Sequence, residues 1–412
     1  MIRSALFLVA VVAALPTASA ADATTLAGRK VTGTLVAIDA TTVTLQEPGA
    51  TTPTRLATVE LATVETRKPP AAPKEPKFDE LELTDGSVLR LTKLLVRGKQ
   101  IEPAFLTHAE PLTAPKVELP LSAAFSFLRN ADDAKTRDDW KKLLAGRGKR
   151  DLFVVRGADG LNPLAGTVIE GTEAGDALSF EREDGQRVNL KLSRASGGIA
   201  FNQPPRDQVP PTLCKVSDAF GNTLVATRLD LVGSTLKVTT VAGATVTYAE
   251  LDAVVKLDFR QGNLTYLSDL DAAADYAPAE KDGLLGDQFG YQRKLARDHS
   301  LDGSDLTLDG KKFARGVSLP PDSTATYKLD GGYREFKAVV GIQDGANRES
   351  WSLRLRVEVG GRAVFDEVVK KATKPREIVL NVKDAKELRV TVERVGLFAG
   401  DQINLGDARL QK

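Results

Sequence analysis

Two short stretches near the end of the sequence gather side chains that could hold a ligand by its hydroxyl groups. Asp344-Gly345-Ala346-Asn347-Arg348-Glu349 leads into a strand-like run beginning at Trp351, and Leu397-Phe398-Ala399-Gly400-Asp401-Gln402 sets an aromatic ring beside an acid and an amide. A pyranose has an apolar C–H face and a rim of hydroxyls. Its recognition needs a flat apolar side chain with planar polar groups around it, which the exposed loops at one end of a β-sandwich can present. On that reasoning Asp344, Asn347, Arg348, Trp351, Phe398, Asp401 and Gln402 are the candidate carbohydrate-binding residues. Competing structural readings exist for several of them. Trp351 is in phase with Leu353 and Leu355, which places it in a core by the two-residue period of a strand. Asp344, Asn347 and Asp401 stand near glycines, where Asp and Asn commonly shape turns.

Other chemistries lack their parts. Cys214 is the one cysteine and His108 and His299 are the two histidines, so the chain can form no internal disulfide, and one Cys with two distant His argues against a zinc site. Cys214 opens a strand-like run, Thr212-Leu213-Cys214-Lys215-Val216, and is expected to be a buried thiol. No Gly-x-Ser-x-Gly elbow occurs, and no acidic loop has EF-hand spacing. The expectation is no catalytic residue, no metal ligand and no cofactor, with a structural calcium as the one ion left open.

The loops must be carried by strands, and the sequence supplies many. Arg3, the apolar run from Ala5 to Leu15, Pro16 and the closing Ala18-Ser19-Ala20 form the three parts of a secretory signal, with cleavage expected after Ala20. The run is shorter than the ~20 residues of a spanning helix, and no later segment is apolar enough to cross a bilayer. The protein is therefore expected to be secreted, periplasmic or cell-surface, with no integral membrane segment after cleavage. Lys and Arg number 56 and Asp and Glu 55, so loss of Arg3 leaves the chain formally neutral. Neutrality argues against nucleic acid as a partner, because that binding draws on a basic excess.

Strand-like alternation punctuated by glycine and proline dominates the mature chain. Proline-rich breaks at Pro69 to Pro76 and Pro204 to Pro211, and a softer alanine-rich and acidic stretch from Asp271 to Lys281, divide it. Leu178-Ser179-Phe180, Asp184-Gly185 and Val188 to Leu192 read as a hairpin with a glycine turn, and Leu236 to Val238, Ala242-Gly243 and Val246 to Tyr248 read as its twin. Each leads to a terminal apolar pair, Ile199 with Phe201 and Leu257 with Phe259. Weaker copies run from Val43 past Gly49 to Val64 and from Leu81 past Gly98 to Phe127. A recurring unit of roughly fifty to sixty residues predicts SH3-like repeats, small bent β-barrels or meanders.

Between two copies, Trp140, Leu143 and Leu144 share one helical face, with Asp132, Asp133, Asp138 and Asp139 toward the N-terminal half and Lys141 and Lys142 toward the other end. Trp140 is expected to pack against the neighbouring β-module. The predicted organisation is a signal peptide at 1–20, β-modules at 21–66, 78–130, 149–203 and 212–263, linkers at 67–77 and 204–211, a helix at 131–148, and a sandwich at 264–412. The last region has longer alternating strands through Tyr327, Phe336, Leu353, Ile378 and Leu388, whose apolar faces need two packed sheets.

Within that region Tyr266-Leu267-Ser268-Asp269-Leu270, Asp298-His299-Ser300, Leu306-Thr307-Leu308-Asp309-Gly310, Phe313-Ala314-Arg315-Gly316-Val317, Tyr333-Arg334-Glu335-Phe336 and Val340-Gly341-Ile342 occur in order, with Asp401 near the end. In these residues, from about Leu264 to Leu410, the chain resembles the NPCBM family of carbohydrate-binding modules. It departs from the family pattern at Gly316-Val317-Ser318-Leu319-Pro320-Pro321, where family members often carry a histidine. The resemblance implies a galactose-binding-like jelly-roll sandwich, hence a mainly all-β chain, and a glycan or polysaccharide as partner. The preceding repeats also resemble the N-terminal part of secreted bacterial proteins that carry this module. The expected function is an exported, non-catalytic glycan-binding protein of the cell envelope or exterior. The second reading is a structural or protein-binding component whose partners are other envelope proteins.

Overall fold

The computed structural model describes residues 20–66, 76–106, 112–204, 208–276, 294–345, 352–395 and 402–412. The expected signal, up to residue 19, lies outside these, as do 67–75 and 205–207 of the two proline-rich linkers. The chain forms two compact units that divide between Gly262 and Asn263.

The first unit repeats one five-stranded meander four times. The first copy has β1 (Ala20–Thr25), β2 (Lys30–Ile38), β3 (Thr42–Gln46), β4 (Thr54–Ala57) and β5 (Leu61–Thr66). The second has β6 (Asp79–Leu83), β7 (Val88–Arg97), β8 (Gln100–Phe105), β9 (Lys116–Pro120) and β10 (Ala124–Leu128). The third has β11 (Asp151–Gly157), β12 (Gly160–Gly171), β13 (Ala177–Arg182), β14 (Arg187–Lys191) and β15 (Gly198–Ala200). The fourth has β16 (Cys214–Asp218), β17 (Thr223–Val232), β18 (Thr235–Thr240), β19 (Thr245–Tyr248) and β20 (Val254–Asp258).

In every copy a single 3-10 turn precedes the last strand, which returns to pair with the first. The second strand carries a bulge at the same place in each copy, at Val36, Thr92, Ile169 and Thr227. One extra residue bends the strand and sharpens its twist, which lets so short a meander close around its own core. The alternation that marks these strands in the sequence is visible in their burial: Val43 and Leu45 of β3 are buried while Thr42, Thr44 and Gln46 are only partly covered. Gly185 (φ +79°) and Gly243 (φ +90°) occupy the left-handed turns of the two clearest hairpins.

The copies do not stack in sequence order. The last strands of copies one and four pair at Val64 with Leu257, those of copies two and three at Phe127 with Ile199, and β19 pairs with β9 to join the halves. Twenty strands thus hydrogen-bond in one continuous run, with the copies in the order one, four, two, three. A shared core runs through all four copies.

The predicted helix is α1 (Ala134–Ala145), with Asp133 accepting from the Thr136 amide at 2.7 Å as its N-cap. It closes a smaller core of Phe78, Leu128, Leu152, Val154 and Ala200 around the buried Trp140, whose indole N–H donates to Ser126 Oγ at 3.4 Å. Arg147 lies 4.4 Å over the Phe125 ring, and Arg90 lies 4.5 Å over Phe78.

The second unit is a sandwich. Its strands are β21 (Leu264–Tyr266), β22 (Ala272–Tyr276), β23 (Ala296–Arg297), β24 (Leu306–Leu308), β25 (Lys311–Phe313), β26 (Gly316–Leu319), β27 (Ser323–Lys328), β28 (Glu335–Ile342), β29 (Ser352–Val359), β30 (Arg362–Lys370), β31 (Arg376–Asn381), β32 (Glu387–Arg394) and β33 (Ile403–Gln411). One sheet runs β23-β26-β33-β28-β31, with β21 also on β33, and the other runs β22-β27-β32-β29-β30. Val317, Phe336, Val340, Leu405 and Leu410 of the first face Tyr327, Leu353, Leu355, Leu388 and Val390 of the second in one buried core. The alanine-rich stretch from Asp271, expected as a soft boundary, supplies the edge strand β22 instead, registered on β27 from Ala272 with Tyr327 to Tyr276 with Ser323. Alanine has little preference for strands, so its pairing is dictated by the neighbour and not by its own composition.

Candidate functional site

The described loops that converge on one another are the 298–305 segment after β23, the tip of the β24–β25 hairpin, the 343–345 segment after β28, and Gln402 before β33. Leu306, Leu308 and Phe313 anchor the hairpin on the sheet in a small core of their own. From that base Gln343 ties the segments together. Its Oε1 accepts from the Thr307 amide at 3.1 Å and from the Asn404 side-chain amide, while its Nε2 donates to the Asp305 carbonyl at 2.9 Å and to Thr307 Oγ1 at 3.1 Å.

Asp344 is a brace for the hairpin tip. Its two oxygens accept from the amides of Asp309 (3.0 Å) and Gly310 (2.8 Å), and Lys371 Nζ reaches Oδ1 at 3.3 Å while donating to the Gln343 carbonyl at 2.9 Å. Partial burial pushes the Asp344 carboxyl upward, but the Gly310 and Asp309 amides and Lys371 outweigh it and hold it below the usual carboxylate range. Gln402 is buried, and both ends of its amide are engaged: Oε1 accepts from the Leu301 amide at 3.0 Å and Nε2 donates to Ser300 Oγ at 2.6 Å. Of the seven residues read from the sequence as carbohydrate-binding, these two position loops through hydrogen bonds within the protein. Asn347, Arg348, Trp351, Phe398 and Asp401 lie outside the described residues.

Sequence reasoning missed Gln343, Lys371 and Asn404. The signal for Asn404 was present, as an amide set among Ile403 and Leu405 in a wholly buried stretch. Among the described residues Asn404 Oδ1 has no hydrogen-bond partner, although the residue is fully buried. The residues that carry the family resemblance form a second clamp. Asp298, in the left-handed region at φ +62°, exchanges hydrogen bonds with Gly316 (2.9 and 3.0 Å) and pairs with Arg315 at 3.0 Å. Arg315 also pairs with Asp269 and lies 4.8 Å over the Tyr266 ring. His299 is exposed with Nδ1 2.7 Å from the Ser300 carbonyl, and the buried Ser318 donates to the His299 carbonyl at 2.9 Å.

Among the described residues no group of three or more His, Cys, Asp or Glu side chains could hold a metal ion, and no helix is long and apolar enough to cross a membrane. Cys214 is buried and free, and burial pushes its thiol far above the ordinary range, with the Asp258 charge adding to the effect. Gln343, Asp344 and Gln402 thus tie these loops to one another through hydrogen bonds within the protein.

No curated protein matches the chain. Among solved structures, the chain is similar to CBM51 from Clostridium perfringens GH95 in complex with methyl-galactose, at 24% identity and TM-score 0.30, covering 36% of this chain and 99% of that one. It is similar to CBM51-2 in complex with GlcNAc and INT domains from Clostridium perfringens ZmpB, at 20% identity and TM-score 0.31, covering 48% of this chain and 43% of that one. The tandem CBM51 modules of a family 98 glycoside hydrolase from Streptococcus pneumoniae match at 14% identity and TM-score 0.31, covering 81% of this chain and 87% of that one. The sequence of the second unit matches the family model described as the NPCBM/NEW2 domain over residues 265–411, from its first strand to its last.

Proposed function

We propose that this chain is an exported, non-catalytic glycan-binding protein in which the loops framed by Gln343, Asp344 and Gln402 carry a neutral sugar. The observation that carries the reading is the NPCBM/NEW2 match over 265–411, which supports carbohydrate binding. The frame supports it indirectly: Gln343, Asp344 and Gln402 spend their hydrogen bonds within the protein and so fix the loops on which a sugar would sit. The buried, unreactive Cys214 thiol offers no nucleophile. The four meanders serve as a spacer or secondary surface, and the signal-like start of the chain takes the protein out of the cytoplasm.

A glycan array that includes methyl-galactose and GlcNAc tests the function. The wild-type chain is expected to bind at least one neutral glycan, and Phe398→Ala or Arg348→Ala to lose about tenfold in affinity. Silence for every neutral glycan would favour a structural role. Export is checked by N-terminal sequencing of the protein recovered outside the cytoplasm. The first residue is expected at or near Ala21, and an intact Met1 would contradict it.

A further inference from the structure

The outer face of the β22-β27-β32-β29-β30 sheet carries a shallow groove of about 460 Å³ that shares no lining residue with the loop frame. Strand register builds its floor. Asp275, Thr324, Thr391 and Arg356 stand side by side across four strands, Thr326, Arg389 and Glu358 form the next row, and Glu393 lies opposite Arg354 in the row on the other side.

The arginines of this face each have a carboxylate partner, although Arg356 Nε is buried without a hydrogen-bond partner among the described residues. Arg356 pairs with Glu358 at 2.9 Å, Arg389 pairs with Glu387 at 3.1 Å and with Glu358 at 3.6 Å, and Arg354 grips Asp366 through two bonds of 2.6 and 3.0 Å. Asp275 and Glu393 are exposed and make no ion pair among the described residues, Glu393 acting on Arg354 only through its charge, and the lining carboxylates outnumber the lining arginines, so the groove carries an excess of negative charge with the hydroxyls of Thr324, Thr326 and Thr391 set among the charges. None of the residues that line it is aromatic. A ligand here gains nothing from ring stacking and must be held by polar contacts. Charge-assisted hydrogen bonds, about twice as strong as neutral ones, decide which ligand that is.

We propose that this face is a second ligand surface for a glycan bearing protonated amines, of the unacetylated glucosamine type. Its amines sit on Asp275 and Glu393, and its ring hydroxyls bond the threonines and the exposed edges of Arg356 and Arg389. The row from Asp275 to Arg356 spans three inter-strand steps, about 14 Å at the usual strand spacing, which calls for an oligosaccharide. The choice of a sugar rests on the glycan-binding reading of the domain, while the choice of an amine rests on the charge of the groove.

The test is calorimetry on the full chain with the β1,4-linked glucosamine tetrasaccharide and its fully N-acetylated counterpart. The unacetylated tetrasaccharide is expected to bind, to weaken several-fold when salt is raised from low to physiological strength, and to lose about tenfold in affinity in D275N/E393Q. Both positions are exposed, so these substitutions remove charge without disturbing a core. Equal affinity in D275N/E393Q, equal affinity for the acetylated tetrasaccharide, or no binding of the unacetylated one to the wild type overturns the proposal. Neutral glycans that bind D275N/E393Q and the wild type alike belong to the loop frame, so failure here leaves the reading of the loops separately testable.

Discussion

Substituting Gly171 by alanine is expected to destabilise the first unit by on the order of 4 kcal/mol, a large effect for a single methyl group. Gly171 ends β12 against the β7–β8 turn, where its amide donates to the Gly98 carbonyl at 2.7 Å and Gly98 returns a bond at 3.1 Å. A Cβ on Gly171 would overlap both the carbonyl oxygen and the carbonyl carbon of Val96. Both are backbone atoms and cannot swing aside, so copies two and three must separate and give up these bonds. Gly185 is the control: it needs a left-handed conformation at φ +79° but has nothing within 4 Å of the methyl that alanine would add. Gly185→Ala should therefore cost only the conformational penalty, about 1 kcal/mol. Urea unfolding of both variants measures the difference, and equal shifts would contradict the close packing of the two copies.

The second large effect is a dependence of stability on pH that originates at Asp218. Its carboxyl is buried in the fourth copy, accepting from the Asn222 amide and side chain at 2.8 Å each and from the buried Tyr248 hydroxyl at 2.7 Å. Asn222 in turn accepts from the Arg90 amide of the second copy at 2.8 Å, so the carboxyl stands at a junction between copies. Burial pushes Asp218 up to about 6, and the donors from Tyr248 and Asn222 only partly offset it. A carboxyl raised in the folded state binds a proton more tightly there than in the unfolded chain. Its contribution to stability is complete below the unfolded value near 4 and is lost as pH rises through about 6, a change of roughly 3 kcal/mol. Asp218→Asn cannot titrate. The difference in stability between wild type and Asp218→Asn should therefore shift by about 2 kcal/mol between about pH 4 and pH 7, in the direction that weakens the wild type at the higher pH. A difference that stays flat with pH would mean that the Asp218 carboxyl is not desolvated in the folded protein.

Much of the fold was legible because strands announce themselves locally. The turn glycines Gly185 and Gly243, the alternation around Val43 and Leu45, and the terminal apolar residues Val64, Phe127, Ile199 and Leu257 all have local causes, and those four residues lie where the last strands pair between copies. The order of the copies was not legible. Strands β5 with β20, and β10 with β15, join through main-chain hydrogen bonds that form whatever the side chains are, so no residue pattern records that the first copy sits beside the fourth. β22 escaped notice because its alanines have no strand preference of their own. At the loops, the sequence displayed the polar residue types but not their partners. Asp344 and Gln402 have the chemistry to meet a ligand, yet their hydrogen bonds go to Gly310, Asp309, Leu301 and Ser300, residues up to 102 positions away. Sequence distance of that size conceals a brace and leaves only its donor and acceptor groups in view.

We propose that the unit matching the NPCBM/NEW2 model holds a neutral glycan through hydrogen bonds to its hydroxyls. The most direct measurement is calorimetric titration of the full chain with neutral glycans at low and at moderate salt. Hydroxyl recognition involves no release of counterions, and the account predicts a weak affinity that is nearly the same at both salt concentrations. Tight binding that collapses as salt rises, or no heat for any neutral glycan, would contradict it.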